Sequence, residues 1–369
     1  MPFDVRDFSG AVPQDRAAGR RRRLIAGWLF MLCGMILGMI TLGGATRLTG
    51  SGLSIMEWAP LQGALPPWSD AEWQRLFELY KSIPQYALLH EGFGLDGFKR
   101  IFWLEWVHRL WGRLIGLAVV VPLIGFWWTG RIEPWLRWRL VGIFLLGGLQ
   151  GAVGWFMVAS GFFPQSTAVS PYRLVVHLAL AIALYAAVLW TGLTVRHPHG
   201  RAGPASRQLR WVVTALTALV ALTVIAGGFV AGTHAGLDYN TFPLMAGRLV
   251  PAGYGALRPF PLNWFENIAA VQFDHRALAT FTLLATFGTV FVALRGKIAA
   301  EVPGLRQSLL WLGGALATQY ALGVAALLSV VAPPLAVAHQ IVAVVALTAA
   351  LRALHCLRPI RLTAPTSVP

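Results

Sequence analysis

Charged residues are scarce in this sequence. They make up 12% of the chain, while 56% is hydrophobic; an ordinary soluble domain carries about 25% charged residues. Cysteine is almost absent. Cys33 lies inside the first apolar run and Cys356 at the end of the last, which leaves no disulfide framework and no CxxC pair. Acidic residues are also few, 15 against 30 basic ones, for a net charge of +15. No soluble basic domain exists to carry that charge to nucleic acid. In a membrane protein, excess arginine marks the loops that stay in the cytoplasm. An acid-poor transit peptide is absent too: Asp4, Asp7 and Asp15 precede Arg20, Arg21, Arg22 and Arg23, and a full-length span follows. The segment reads as a retained anchor, and a bacterial inner (cytoplasmic) membrane fits better than an imported organellar precursor.

What the chain does have is apolar runs long enough to cross a bilayer. Eight membrane helices are predicted, at about 24–46, 103–128, 139–160, 172–195, 211–231, 268–294, 307–331 and 335–356. Arginines cluster between the second and third, fourth and fifth, and sixth and seventh helices, and after the eighth as Arg352, Arg358 and Arg361. All fall on the side of the N-terminus, so both termini are expected in the cytoplasm of a multi-pass protein surrounded by membrane lipid. The opposite side carries two long loops, 47–102 and 232–267. The first contains an amphipathic stretch, Ser69 to Tyr80, in which Ser69 and Glu72 have the spacing of a capping box.

The two halves resemble each other. Gly43-Gly-Ala-Thr-Arg-Leu-Thr-Gly-Ser-Gly-Leu53 aligns with Gly227-Gly-Phe-Val-Ala-Gly-Thr-His-Ala-Gly-Leu237, and Glu105-Trp-Val-His-Arg109 with Gln272-Phe-Asp-His-Arg276. Gln150-Gly-Ala-Val-Gly154 aligns with Gln319-Tyr-Ala-Leu-Gly323, and Pro171, six residues before His177, with Pro333, six before His339. Each unit holds four spans, so successive units share one orientation and are related by an axis along the membrane normal. The expected fold is all-α integral membrane, two tandem four-helix bundles with pseudo-twofold symmetry. The expected division is a cytoplasmic segment 1–23, an N-terminal bundle 24–196, a cytoplasmic linker 197–210, a C-terminal bundle 211–356 and a cytoplasmic tail 357–369.

His108, His177, His275 and His339 fall near the outer ends of helices 2, 4, 6 and 8, at similar depth. Within each half the two can face each other across the bundle, the arrangement of bis-histidine haem ligation. A lone intramembrane histidine is more often a hydrogen-bonded polar residue between helices. Four at repeat-related positions weaken that reading, because ionisable groups at such depth are costly. Zinc or copper would want further ligands, and no cysteine is near the first pair. Arg109 and Arg276 directly follow their histidines, Arg113 lies one turn further on, Arg173 precedes His177 by four and Arg47 closes helix 1. All five are candidates for pairing with haem propionates; the plainer alternative is interfacial snorkelling. His90, His197, His199, His234 and His355 read as solvated residues of the loops and helix ends.

The halves also differ. Glu105 lies three residues before His108, on the same helical face, where the second half has Gln272. Arg173 and Arg113 correspond to Leu335 and Thr280. The first half is therefore better equipped for chemistry, since a carboxylate can take a proton and an amide cannot. The plainer reading of Glu105 is an ion pair with Arg109.

Gly43-Gly-Ala-Thr-Arg-Leu-Thr-Gly-Ser-Gly-Leu-Ser54, Glu105-Trp-Val-His-Arg-Leu-Trp-Gly-Arg-Leu-Ile-Gly116 and Leu149-Gln-Gly-Ala-Val-Gly-Trp155 resemble the haem A synthase family, most closely its proteobacterial and mitochondrial-type branch. The resemblance runs through all eight helices. It implies oxidation of the C8 methyl of haem O to a formyl group, by successive hydroxylations and loss of water, to give haem A for terminal oxidases. It implies haem b as cofactor on His275 and His339, substrate haem on His108 and His177, and Glu105 as the catalytic carboxylate. On that division the arginines read above fall to the haem b in the case of Arg276, and to the substrate haem in the case of Arg47, Arg109, Arg113 and Arg173. Another branch carries a cysteine pair in the first outer loop, and this sequence has no cysteine between residues 47 and 102. The implied partners are haem O and an unidentified electron acceptor or donor, together with haem O synthase and cytochrome oxidase assembly factors; a homo-oligomer is compatible with the reading, nucleic acid is not. The competing expectations are a di-haem electron-transfer cytochrome and a haem transporter with parallel repeats. The arginine distribution makes a first prediction: a reporter fused near Gly203 is active only in its cytoplasmic form, and a periplasmic signal there would overturn the eight-span topology.

Overall fold

The computed structural model describes residues 11–164 and 166–360, with side chains from Ala17 onward. The expected N-terminal segment before residue 11 and the tail beyond 360, with Arg361, lie outside the described residues. Among the described residues every regular element is helical. The helices are α1 (Ala11–Leu48), α2 (Asp70–Lys81), α3 (Pro84–Leu89), α4 (Leu95–Trp128), α5 (Pro134–Ala159), α6 (Pro171–Arg196), α7 (Arg207–Gly232), α8 (Asn263–Glu266), α9 (Ile268–Arg295), α10 (Ile298–Glu301), α11 (Leu305–Leu328) and α12 (Pro333–Cys356). Eight of them, α1, α4, α5, α6, α7, α9, α11 and α12, are long and apolar enough to cross a membrane. The chain is a multi-pass helical membrane protein.

In the first half α1 packs on α4 and α6, and α5 on α4 and α6; in the second, α7 packs on α9 and α12, and α11 on α9 and α12. Between the halves α1 meets α12, α7 meets α6, and α6 meets α12. Their apolar faces merge into one core that includes Leu29 and Leu32 of α1, Val188 of α6, Leu312 of α11 and Leu347 of α12. Close approach depends on small residues, as in membrane bundles generally. A Cβ on Gly44 of α1 would lie 2.0 Å from Oε1 of Gln340 on α12, whose Nε2 donates to the Ile40 carbonyl at 2.7 Å. A Cβ on Gly228 of α7 would lie 2.9 Å from Leu178 on α6.

Several boundaries differ from the sequence reading: α1 begins at Ala11, inside the expected segment 1–23, and α7 at Arg207, inside the expected linker 197–210. Two further differences have evident physical reasons. Helix α4 starts at Leu95, eight residues before the predicted 103, because Phe98, Ile101 and Phe102 extend it under an aromatic lid with Trp73, Phe77 and Tyr80 of α2. Helix α5 starts at Pro134, a residue suited to the first helical turn, where its missing N–H needs no partner. The lid helix α2 is capped as expected: the Ser69 hydroxyl accepts from the Glu72 N–H at 3.2 Å. The reciprocal bond of a capping box is not made, since the Glu72 carboxylate instead pairs with Arg75, which also binds Glu57.

The linker after α6 is tied down. Arg201 and Ala202 N–H groups donate to the Arg358 carbonyl, and Ile360 donates back to Ala202. His355, expected to be solvated, is buried between Trp190 and Thr194 of α6. The two-half interface makes the second prediction. Gly44→Val and Gly228→Val should each destabilise the protein by about 1–3 kcal/mol through overpacking, read as a lowered Tm in detergent. Gly34→Val, with nothing within 4 Å of its Cβ position, should leave Tm unchanged.

Candidate functional site

His108 is on α4, His177 on α6, His275 on α9 and His339 on α12, each in the N-terminal half of its helix. The first two lie within electrostatic reach of each other, and so do the second two. Each ring sits over a glycine of a neighbouring helix. A Cβ on Gly43 would stand 3.0 Å from Cε1 of His108, and one on Gly227 the same distance from Cε1 of His275. The Cε1 atoms of His177 and His339 are each 2.8 Å from the Cβ positions of Gly154 and Gly323.

Glu105 is 3% exposed and fully engaged. Its Oε2 accepts from the Ser54 hydroxyl at 2.7 Å and the Ile55 N–H at 2.9 Å; its Oε1 accepts from Arg109 Nη2 at 2.6 Å. The ion pair considered from the sequence is therefore present, with two loop donors added to it. Gln272 stands in the same place with opposite polarity. Its Nε2 donates to the carbonyls of Ala235 and Asp238, at 2.5 and 2.6 Å, while its Oε1 accepts from Arg276 at 2.6 Å.

The arginines divide into two groups. Arg109 also donates to the carbonyls of Ile55 and Glu57, Arg113 to those of Ala59 and Pro60, and Arg276 to those of Tyr239 and Thr241. They staple the long loops to α4 and α9. Arg47 and Arg173 lie at the junction of the halves. Arg47 donates to the Ala231 carbonyl of α7 at 2.5 Å; Arg173 lies 3.8 Å over the Phe156 ring and donates to the Phe156 carbonyl. Arg173 lines a cleft of about 480 Å³ with Ser166, Thr167, Ser170 and His234. The structure thus joins Glu105 to Arg109 and ties Arg113 to the same loop, while Arg47 and Arg173 make their hydrogen bonds to α7 and α5.

Whether these residues suit a haem can be judged from the polar atoms left without partners. His108 Nδ1, His275 Nδ1, Gln150 Oε1, Gln319 Oε1, Arg113 Nη1 and Arg276 Nε are buried and unpaired. Each half thus offers imidazoles together with one spare guanidinium N–H, a set that matches axial ligation and propionate binding. Among the described residues no three His, Cys, Asp or Glu side chains cluster as a metal site would require. Two imidazoles per half are the axial complement of a macrocycle that supplies the other ligands. The donor set fits haem.

A sequence profile described as cytochrome oxidase assembly protein matches residues 26–351. The chain is 61% identical over 350 residues to Heme A synthase of Granulibacter bethesdensis, covering 95% of this chain and 91% of that one. The chain belongs to the haem A synthase family. Two further family relatives are Heme A synthase 2 of Acidiphilium cryptum, 45% identical over 94% of this chain and 95% of its own, and Heme A synthase of Rhodospirillum centenum, 46% identical over 95% and 92%.

Sequence reasoning missed several residues that this family member places at the histidines. Gln150 and Gln319 touch the rings of His177 and His339. Gly43, Gly154, Gly227 and Gly323 give the rings room, and Ser54 holds Glu105. All but Ser54 stand at positions matched between the halves, and that match is the signal that could have found them. His90 was expected to be solvated. Instead its Nδ1 meets the buried Tyr80 hydroxyl at 2.5 Å, and its ring stacks on Phe93 with centroids 4.3 Å apart. Tyr80 in turn donates to Gln85, whose amide donates to the Gly50 carbonyl at the end of α1.

Desolvation holds the His90 imidazole below its ordinary value of about 6.5. An unfolded lid then binds more protons in acid than the folded one, so its stability is full above about pH 6.5 and falls as the pH drops. The third prediction follows: protease cleavage within 47–102 accelerates between pH 7 and pH 5. His90→Phe, which keeps a ring to stack on Phe93, should flatten that response; an unchanged pH dependence would remove His90 as its source.

Proposed function

We propose that this chain oxidises the C8 methyl of haem O to a formyl group, giving haem A. The first half, with His108 and His177, binds the substrate; the second, with His275 and His339, holds a resident haem b. Arg113 and Arg276 are the propionate partners best placed by their unpaired buried N–H groups. Bound haem b supplies one-electron redox chemistry. The electrons leave to an acceptor outside the chain, and the product serves the assembly of terminal oxidases. The architecture is read as two tandem four-helix units, a reading supported by the same packing partners recurring in each. The bacterial inner membrane, with both termini in the cytoplasm, is the setting that the arginine distribution favours.

The observation that carries this reading is Glu105 against Gln272. Oxidising a methyl on the rim of a macrocycle removes protons and builds positive character at that carbon. Glu105 lies one helical turn from His108, and its carboxylate can accept such a proton or stabilise the charge. Arg109, Ser54 and the Ile55 N–H fix its position, and the aromatic lid keeps water away. The second half lacks the carboxylate and so retains its haem unchanged.

The fourth prediction tests both assignments. Glu105→Gln, which copies the second half, folds and keeps its resident haem b but loses haem A formation by about 10²–10⁴-fold. Chromatography of extracted pigments should show haem O or a hydroxylated intermediate accumulating. Near-normal haem A would reduce Glu105 to a structural partner of Arg109. His275→Ala and His339→Ala deplete the resident haem, while His108→Ala spares it; equal depletion would overturn the division of roles.

A further inference from the structure

The repeated run Gln-x-x-x-Gly, Gln150 to Gly154 on α5 and Gln319 to Gly323 on α11, has no role in the reaction as described above. Residues four apart lie on one helical face. In each half that face meets one imidazole: His177 for the first run, His339 for the second. The glycine removes the Cβ that would otherwise stand 2.8 Å from the ring, closer than real Cβ contacts come. The ring cannot yield as the tip of a long side chain would, because it is rigid and planar and has only two torsions. The opposite ligand of each pair has its own seat, Gly43 for His108 and Gly227 for His275.

The glutamine makes the two notches unequal. In the second half His339 Nδ1 lies 3.1 Å from the Gln319 main-chain carbonyl, which can only accept, so Nδ1 carries the proton and Nε2 presents a lone pair. The Gln319 side-chain Nε2 donates to that lone pair at 3.2 Å, the position a metal ligand bond would take. In the first half no carbonyl fixes the ring of His177. The Gln150 amide lies against its edge, 3.2 Å from Nδ1 and 3.3 Å from Nε2, and donates to the His177 carbonyl at 3.2 Å. One ring is locked in a single tautomer and orientation; the other is held by a side chain that either nitrogen can meet.

We infer that the two Gln-x-x-x-Gly notches are positioning elements for the axial histidines, with the second locking His339 as a permanent ligand and the first leaving His177 adjustable for a haem that exchanges. This rests on the division of roles proposed above. Partners of this kind, acting through a ligand, typically change metal-site affinity 10–100-fold when altered.

The test uses the purified full-length protein and reads the resident haem per polypeptide and its low-spin electron paramagnetic resonance signal. A titration with added haemin probes the exchangeable site. Gly323→Ala should lower haem retention at least about tenfold or convert the remaining signal from low spin. Gly227→Ala, at the facing seat of the same haem, should do the same and carries the test if Gly323→Ala does not fold. Gly154→Ala should leave the resident signal intact and weaken haemin binding by a similar factor. Gly314→Ala and Gly151→Ala, on the same two helices with nothing within 4 Å of their Cβ positions, are the controls and should match the parent in both readouts. Wild-type haem content and signal in both Gly323→Ala and Gly227→Ala would overturn the inference, as would equal loss of resident haem from Gly154→Ala and Gly323→Ala. His339→Ala separates the two failures. If it keeps its haem, the division of roles is wrong. If it loses its haem while Gly323→Ala does not, only the notch is wrong.

Discussion

An imidazole packed between membrane helices needs room, and most of the histidine-bearing end of this molecule answers that need. Helix backbones in a bilayer satisfy themselves and leave little for a side chain to bond. A ring wedged between two helices therefore requires a missing Cβ opposite it, and His177 and His339 also meet a polar group from the neighbouring helix. Gly43, Gly154, Gly227 and Gly323 supply the first, and Gln150 and Gln319 the second. The adjacent glycines serve another contact. Gly44 faces Gln340, the residue after His339, and Gly228 faces Leu178, the residue after His177. One Gly-Gly pair thus seats a histidine of its own half and admits the histidine-bearing helix of the other. The seats of His108 and His275 and the junction of the halves are set at the same turn of α1 and α7.

On this common frame the two halves use opposite hydrogen-bond polarity. Beside His108 an acidic side chain collects donors from its loop; beside His275 an amide gives donors to the matching loop. Swapping one for the other changes what the loop backbone must present, N–H and hydroxyl in one case and two carbonyls in the other. The two loops meet that difference with different groups at the same place.

Hydropathy made the eight spans legible, because a bilayer demands a long apolar run whatever the tertiary contacts. The duplicated His108, His177, His275 and His339 were legible because the duplication itself supplied an internal comparison. The start of α4 was not, since Phe98 and Phe102 belong to the lid and are helical through packing on Trp73, not through membrane burial. The roles of Gln150 and Gln319 were not either. Glutamine four residues before glycine on a membrane helix carries no chemical signature until the facing helix shows an imidazole. His355 and His90 misled in the other direction: a histidine near a helix end or in a loop reads as solvated, and only Trp190, Tyr80 and Phe93 reveal otherwise.

The arginines show how far chemistry can be read from residue type alone. A guanidinium next to a haem-ligand candidate suggests a propionate, yet Arg109 has its donors taken by Glu105 and by the carbonyls of Ile55 and Glu57. Arg276 repeats the pattern on Gln272, Tyr239 and Thr241. Five N–H groups in a planar fork allow both uses at once. Arg276 keeps Nε unpaired and Arg113 keeps Nη1, so each holds a loop with most of its donors and still has one to offer. A lysine at these positions could bind an anion or hold a loop carbonyl, but its compact head could not span both. Arginine there holds each loop and leaves an N–H without a protein partner, which one compact ammonium head could not do.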